Sequence, residues 1–247
     1  RGEGHQPLWG RGDEGVRGML GGASSFEVEG EAAALKKAKD DAVAANIKIL
    51  ENFYSFLISF ALTQATLKLA DIWSDYGLDV QVAGPSFLYL SLLVTIVPFY
   101  QGMNRFLYAT HVVRPLEKPG SRSSPLLVDI YAFVFMSCII FAMGRFLKDP
   151  VGFFYLWSTL LAVDVTWSIF VWRFQDSRNP LWAWNNLTFL VLAWLYWIAL
   201  HTPSNWPYRF LWPEFLPYGF VLFEIARSIF DYRINWKFYF PPEFKGG

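Results

Sequence analysis

The residues of this sequence that could do chemistry lie inside long apolar runs. The run at residues 86–112 carries five polar side chains that fall within about 120° of one helical face at about 3.6 residues per turn. These side chains belong to Gln101, Asn104, Arg105, Tyr108 and His111. A polar or ionisable group in an apolar helix is costly and faces protein or water rather than lipid. One face of this run is therefore predicted to line a polar interior.

Two later apolar runs carry carboxylates. Asp164 stands in an otherwise uncharged run, and Glu224 shares a helical face with Arg227. At a rise of about 1.5 Å per residue, Arg105, Asp164 and Glu224 each lie about 12 Å from the same end of their runs. An unpaired charge in an apolar interior is expensive. We therefore expect Arg105 to contact Asp164 or Glu224 in a charge layer within the bundle.

Such a layer suggests three roles. A buried carboxylate, Asp164 or Glu224, can carry a proton or a small ion, with Gln101, Asn104 and Arg227 in support. The alternative is an ion-pair network that only fixes the register of the helices. A third possibility is an anionic ligand or lipid headgroup held by Arg105, Arg227 and the arginines of the loops.

The apolar runs themselves predict the fold class. About 20 apolar residues cross the hydrocarbon core of a bilayer as a helix, and these runs lack the alternation of barrel strands. The runs are roughly 49–70, 86–112, 126–146, 151–172, 181–200 and 214–232. Because lipid offers no partner for backbone amides, we predict an all-α polytopic membrane protein. Its domain of six transmembrane helices occupies residues 49–235.

Three segments lie outside the predicted bundle. Residues 1–30 are rich in glycine and are expected to be loosely ordered, and residues 236–247 form a C-terminal tail. Residues 31–48 favour a helix and carry a short apolar seam. The seam consists of Leu35, Ala38, Ala42, Ala45 and Ile49. This segment is interpreted as an amphipathic helix that leads into the first run, or alternatively as a contact between copies of the chain.

The basic residues predict the orientation. They concentrate before the first run, after the second and fourth runs and in the tail, which all lie on one side of a six-helix arrangement. Examples are Lys36, Lys37, Lys39, Lys48, Arg114, Lys118, Arg122, Arg173, Arg178, Arg233, Lys237 and Lys245. The positive-inside rule places this side, and with it both termini, in the cytoplasm.

Composition and motifs narrow the function classes. The 247 residues include 21 basic and 21 acidic ones, so nothing points to a nucleic-acid partner. The only cysteine is Cys138, and His111 and His201 fall on opposite sides of the predicted membrane. No metal-ligand spacing appears, and no cofactor is predicted. No phosphate-binding, serine-hydrolase, zinc-protease or dinucleotide motif is present.

Two function classes follow. The first is a channel or transporter for protons or small ions, formed by several copies of the chain because six helices enclose little lumen. The second is an accessory or assembly subunit of a larger membrane complex, with no activity alone. A membrane enzyme that acts on a lipid is a weaker third hypothesis, since no aspartate-rich metal motif supports it. Asn185 and Asn186 are expected to form hydrogen bonds across helices.

Overall fold

The protein is all-α in the computed structural model, as the sequence predicts. The structure describes residues 14–77, 79–117, 125–174, 181–201 and 216–240, and these segments contain no β-strand. The helices are α1 (Glu14–Tyr76), α2 (Ala83–Tyr108), α3 (Arg114–Glu117), α4 (Leu126–Met143), α5 (Pro150–Phe174), α6 (Leu181–His201), α7 (Leu216–Ile234) and α8 (Trp236–Tyr239). A 3₁₀ turn precedes α2, and a π-helical turn at Ala109–Val113 follows it.

Four helices are long and apolar enough to cross a membrane. They lie at Ala33–Tyr76, Ala83–Val113, Leu126–Met143 and Pro150–Arg173. The helices α6 and α7 do not meet this criterion, although they are 21 and 19 residues long. Adjacent asparagines and several tryptophans lower the hydropathy of α6, and α7 carries Glu224, Arg227, Asp231 and Arg233. Four of the six expected membrane helices thus have the required length and apolarity, and the other two remain a prediction.

The chain divides into two compact units, at residues 1–45 and 46–247. In the first unit the described residues are helical from Glu14 onward, so the helix includes residues 14–30, which were expected to be loosely ordered. Elongation of an existing helix adds one hydrogen bond per residue at a modest entropic cost. A helix favoured at 31–48 therefore extends toward the N-terminus. Residues 1–13 lie outside the described part of the chain.

In the second unit, α2 packs on α7, and α4, α5, α6 and α7 pack in chain order. Large aromatic side chains fill the space between these helices. Phe154 stacks on Trp197 with ring centroids 4.6 Å apart, and Trp157 meets Phe220 at 5.5 Å in an edge-to-face geometry. Such pairs contribute about 0.5–1.5 kcal/mol beyond the burial of their area. This packing fixes the helices that carry the buried polar residues.

A tight turn connects α4 to α5. The carboxylate of Asp149 accepts hydrogen bonds from the backbone N–H groups of Val151 and Gly152, each at 3.1 Å. Pro150 occupies the first helical position, where its missing N–H is not needed. The turn therefore starts α5 at a defined residue and places its polar face next to α6 and α7.

Candidate functional site: a buried charge network

The centre of the network is an ion pair within α7. Arg227 donates from Nη2 to Oε2 of Glu224 at 2.9 Å and from Nε to Oε1 at 3.0 Å. The two side chains are 1% and 0% exposed. Residues three apart lie on the same face of a helix, so the pair forms from local geometry. The guanidinium plane also covers the Phe99 ring at 5.2 Å.

Two neighbouring helices complete the surroundings of Glu224. Trp157 of α5 donates its indole N–H to Oε1 at 2.5 Å. Thr95 of α2 places its hydroxyl 2.8 Å from Oε2 and also 2.8 Å from the carbonyl oxygen of Ser91. A buried ion pair is tolerated when its remaining lone pairs are satisfied. Both carboxylate oxygens of Glu224 therefore have partners from three helices.

Asn186 of α6 links this pair to Asp164. Its Oδ1 accepts a hydrogen bond from Nη1 of Arg227 at 3.1 Å, and its Nδ2 donates to Oδ2 of Asp164. Asp164 and Asn186 are 1% and 0% exposed. Among the described residues, no basic side chain lies within 4.0 Å of the Asp164 carboxylate. Asp164 therefore meets the guanidinium only through an amide.

The buried charges do not balance. In the described segments, the carboxyl groups of Asp129, Asp164, Glu224 and Asp231 are nearly fully buried, whereas Arg227 is the one guanidinium buried to that degree. The sequence predicts Arg105 as a further cation in the layer of Asp164 and Glu224. Excess charge in a low-dielectric interior is disfavoured, and uptake of a proton or a cation would relieve it.

A second cluster joins the π-helical turn to α4 and α5. Nε2 of His111 lies 2.8 Å from Oδ2 of Asp129, and Trp167 donates its indole N–H to Oδ1 of Asp129 at 2.9 Å. The His111 side chain is 7% exposed. His111 belongs to the polar face that the sequence predicts for the run at 86–112, whereas Asp129 was not singled out from the sequence. A π turn inserts one residue into a helix, which redirects the side chains that follow it.

A third cluster surrounds Asp231 at the end of α7. Tyr239 of α8 donates its hydroxyl to Oδ2 at 2.6 Å, and Asn235 donates to Oδ1 at 2.8 Å. Burial and the nearby Asp231 carboxylate raise the pKa of Tyr239. These contacts hold α8 against the end of α7.

The sequence-predicted residues have different outcomes. The structure brings Asp164, Glu224 and Arg227 together. Arg105 is half-buried on α2. It was expected to contact Asp164 or Glu224, but the partners described above for these carboxylates are Asn186 for Asp164 and Arg227, Trp157 and Thr95 for Glu224. Gln101 accepts a hydrogen bond from the Tyr232 hydroxyl at 2.8 Å.

Asn104 has an unusual environment among the predicted residues. Its Oδ1 is buried and has no hydrogen-bond partner within the described part of the chain. A buried amide oxygen without a partner costs about 1–3 kcal/mol. Asn104 therefore offers an unused acceptor inside the bundle.

Sequence reasoning missed several members of the network. Thr95 and Trp157 were not singled out, because a hydroxyl and an indole in an apolar run look like ordinary core or interfacial residues. Asn186 was expected to bond across helices, and it does so with both Arg227 and Asp164. The adjacent Asn185 donates to the carbonyl oxygen of Arg227 at 3.4 Å. The expectation for the two asparagines is confirmed.

Comparison with protein-family models, with curated proteins and with solved structures found no match. Among the described residues, no group of three or more His, Cys, Asp or Glu side chains is arranged to hold a metal ion.

Proposed function

We propose that this protein is a multi-pass integral membrane protein that transfers protons across the bilayer, with Asp164 as the proton carrier. The supporting observation is that Asp164 is 1% exposed and is linked to the Arg227 guanidinium through the Asn186 amide rather than by a direct ion pair. A buried carboxylate without a direct contact to a cation is costly to keep ionised. Proton uptake at Asp164 removes that cost.

Glu224 is less suited to this role. Arg227 binds it through two guanidinium nitrogens, and Trp157 and Thr95 donate further hydrogen bonds. Hydrogen bonds to the charged form of a carboxylate favour that form. Glu224 therefore acts as the fixed anion that holds Arg227, while Asp164 exchanges its proton.

Asn186 couples the two sites. Its Nδ2 donates to Asp164 and its Oδ1 accepts from Arg227, so one rigid amide contacts both groups. A proton on Asp164 weakens the bond from Asn186, because a neutral carboxyl is a poorer acceptor than a carboxylate. The change is transmitted to the orientation of Arg227, which can gate access to Asp164 from the two sides.

The lengths of α6 and α7 and the burial of the charged side chains on α7 support six membrane-crossing helices rather than four. Helices of 21 and 19 residues reach about 30 Å at about 1.5 Å per residue, so α6 and α7 match the core of a bilayer. The charged side chains Glu224, Arg227 and Asp231 of α7 are buried against neighbouring helices and avoid lipid. With six crossings, the positive-inside rule places both termini in the cytoplasm.

Proton flux into liposomes tests this proposal. Purified protein is reconstituted with a pH-sensitive dye in the lumen, and a potassium diffusion potential drives proton entry. Asp164→Asn is expected to abolish the flux, whereas the exposed carboxylate variant Asp71→Asn serves as a matched control and is expected to retain it. Wild-type flux at the level of empty liposomes, or full flux through Asp164→Asn, would contradict the proposal.

A second candidate is an accessory subunit of a membrane complex. The observation that favours it is the exposure of α1. Only 22% of the most apolar stretch of α1 is buried within the protein, compared with 50% of the corresponding stretch of α5. Its exposed side chains include Phe53, Phe56 and Phe60. Such a face fits lipid, a second copy of the chain or another subunit. Native mass after extraction in a mild detergent distinguishes these cases, because a stoichiometric set of other subunits would favour the accessory role.

A further inference from the structure

A groove of about 560 Å³ opens where the ends of α5 and α7 meet the start of α6 and the short helix α8. Its walls combine several tryptophans with two cations and a serine. The residues that matter here are Trp172, Trp182, Trp236, Arg233, Lys237 and Ser168. This groove is separate from the Asp164 network, none of whose members lines it.

In the segments that the structure describes, the positive charge of the groove has no carboxylate paired with it. Arg233 and Lys237 are exposed, and neither forms an ion pair with a carboxylate among the described residues. The acidic residue nearest to Arg233 in sequence is Asp231, which is buried and accepts hydrogen bonds from Tyr239 and Asn235. Two cations at the mouth of a groove attract an anion.

Two further features provide hydrogen-bond donors. Ser168 lines the groove, and its buried Oγ has no hydrogen-bond partner in the part of the chain that the structure describes. The groove is also lined by Trp182 and Ala183, in the first turn of α6, where backbone N–H groups lack partners within the helix. A helix start favours phosphate or carboxylate oxygens.

The apolar walls determine the class of the anion. Trp172 and Trp236 are each 52% exposed, and Ile234 lies beside them. A small inorganic anion would leave these rings uncovered, whereas an amphiphile places its acyl chains on them and its charged group near the cations. Tryptophan and basic side chains recur together at the level of lipid headgroups.

We propose that this groove binds an anionic phospholipid, with its phosphate between Arg233 and Lys237 and its acyl chains along the tryptophans. The site does not depend on proton transfer by Asp164. The lipid site gives the protein a preference for anionic lipid at one end of the bundle. Trp167 lines this site and also donates a hydrogen bond to Asp129.

Binding of short-chain lipids to the full chain in detergent tests the proposal. Dihexanoyl phosphatidylglycerol, dihexanoyl phosphatidylcholine and inorganic phosphate are titrated separately, and binding is followed by native mass spectrometry and tryptophan fluorescence. The double variant R233Q/K237Q is compared with R145Q/K148Q, which removes the same charge from the turn between α4 and α5. Arg145 and Lys148 are also exposed, so both variants are expected to fold.

Phosphatidylglycerol is expected to bind the wild type in preference to phosphatidylcholine. Its affinity should fall by at least about tenfold in R233Q/K237Q, since each basic residue near a lipid surface contributes on the order of a few-fold. R145Q/K148Q should retain the affinity. Equal binding of both lipids, or equal loss in both variants, would overturn the proposal, and so would inorganic phosphate binding as tightly as phosphatidylglycerol.

Discussion

Removal of the Arg227 side chain is expected to destabilise the fold more than any exposed charge substitution in the chain. Arg227→Met preserves much of the volume but deletes the contacts to Glu224 and the hydrogen bond to Asn186. The Glu224 carboxylate, 0% exposed, then lacks a cation. Breaking a buried ion pair in this way costs about 3–5 kcal/mol, because an uncompensated charge stays in the interior.

A double-mutant cycle separates the pair from its surroundings. Glu224→Met together with Arg227→Met removes both charges, so the double variant should be more stable than the sum of the single losses predicts. The expected coupling is about 2–3 kcal/mol, at the upper end of the range for contacting residues. The buried Trp157 indole then loses its acceptor, which keeps the double variant less stable than the wild type, whereas Thr95 retains the carbonyl oxygen of Ser91.

The free energy of unfolding is measured in bicelles of zwitterionic lipid by steric trapping. Two labelled sites that lie close together in the folded protein can both bind a bulky ligand only when the chain is unfolded, so binding at both sites traps the unfolded state. Arg233→Met, on the same helix but exposed, is the matched control and should lie within about 0.5 kcal/mol of the wild type. An Arg227→Met loss below about 1 kcal/mol, or strictly additive effects in the cycle, would refute the assigned pairing.

Three further predictions concern other parts of the structure. Asp129→Ala deletes the acceptor of the buried Trp167 indole and should lower the free energy of unfolding by about 1–3 kcal/mol, and Asp129→Asn, which keeps an acceptor, should lower it less. The pKa of Tyr239 is raised by burial and by Asp231, so the folded state retains the phenol proton above about pH 10, where the unfolded chain loses it. Wild-type stability should therefore fall as the pH rises beyond that value, with a shallower slope in Tyr239→Phe; equal slopes would contradict this. Gly144→Leu should lower the free energy of unfolding by about 1–3 kcal/mol in the same assay, because even a Cβ at this position would lie 3.1 Å from the side chain of Ala65 in α1. A loss near zero would contradict this close contact.

The helical class and several helix bounds could be predicted from the sequence because their signals are local. Expected runs at 126–146 and 151–172 correspond to Leu126–Met143 and Pro150–Phe174. Pro150 after an aspartate is a recognisable helix start. The Glu224–Arg227 spacing is likewise local, so both residues could be named as candidates without knowledge of the fold.

The pairing between helices could not be predicted in the same way. The expected depth of Arg105 assumed that α2 ends near residue 112, whereas helical structure continues through the π turn to Glu117. The α2 residue that meets Glu224 is Thr95, ten positions before Arg105 or about 15 Å along the axis. His111 and Asp129 come together through the same turn. The faces through which helices contact each other depend on the packing of the whole bundle, and the sequence of a single helix does not determine them.

Infrared spectroscopy of the reconstituted protein tests the central claim most directly, namely that Asp164 takes up and releases a proton inside the folded bundle. A protonated carboxyl has a C=O band that is distinct from the bands of a carboxylate, and its intensity is followed as the pH is varied. The account predicts a titrating band in the wild type that is lost in Asp164→Asn and retained in Glu224→Gln. A band that persists unchanged in Asp164→Asn, or a wild type in which no buried carboxyl titrates, would contradict it.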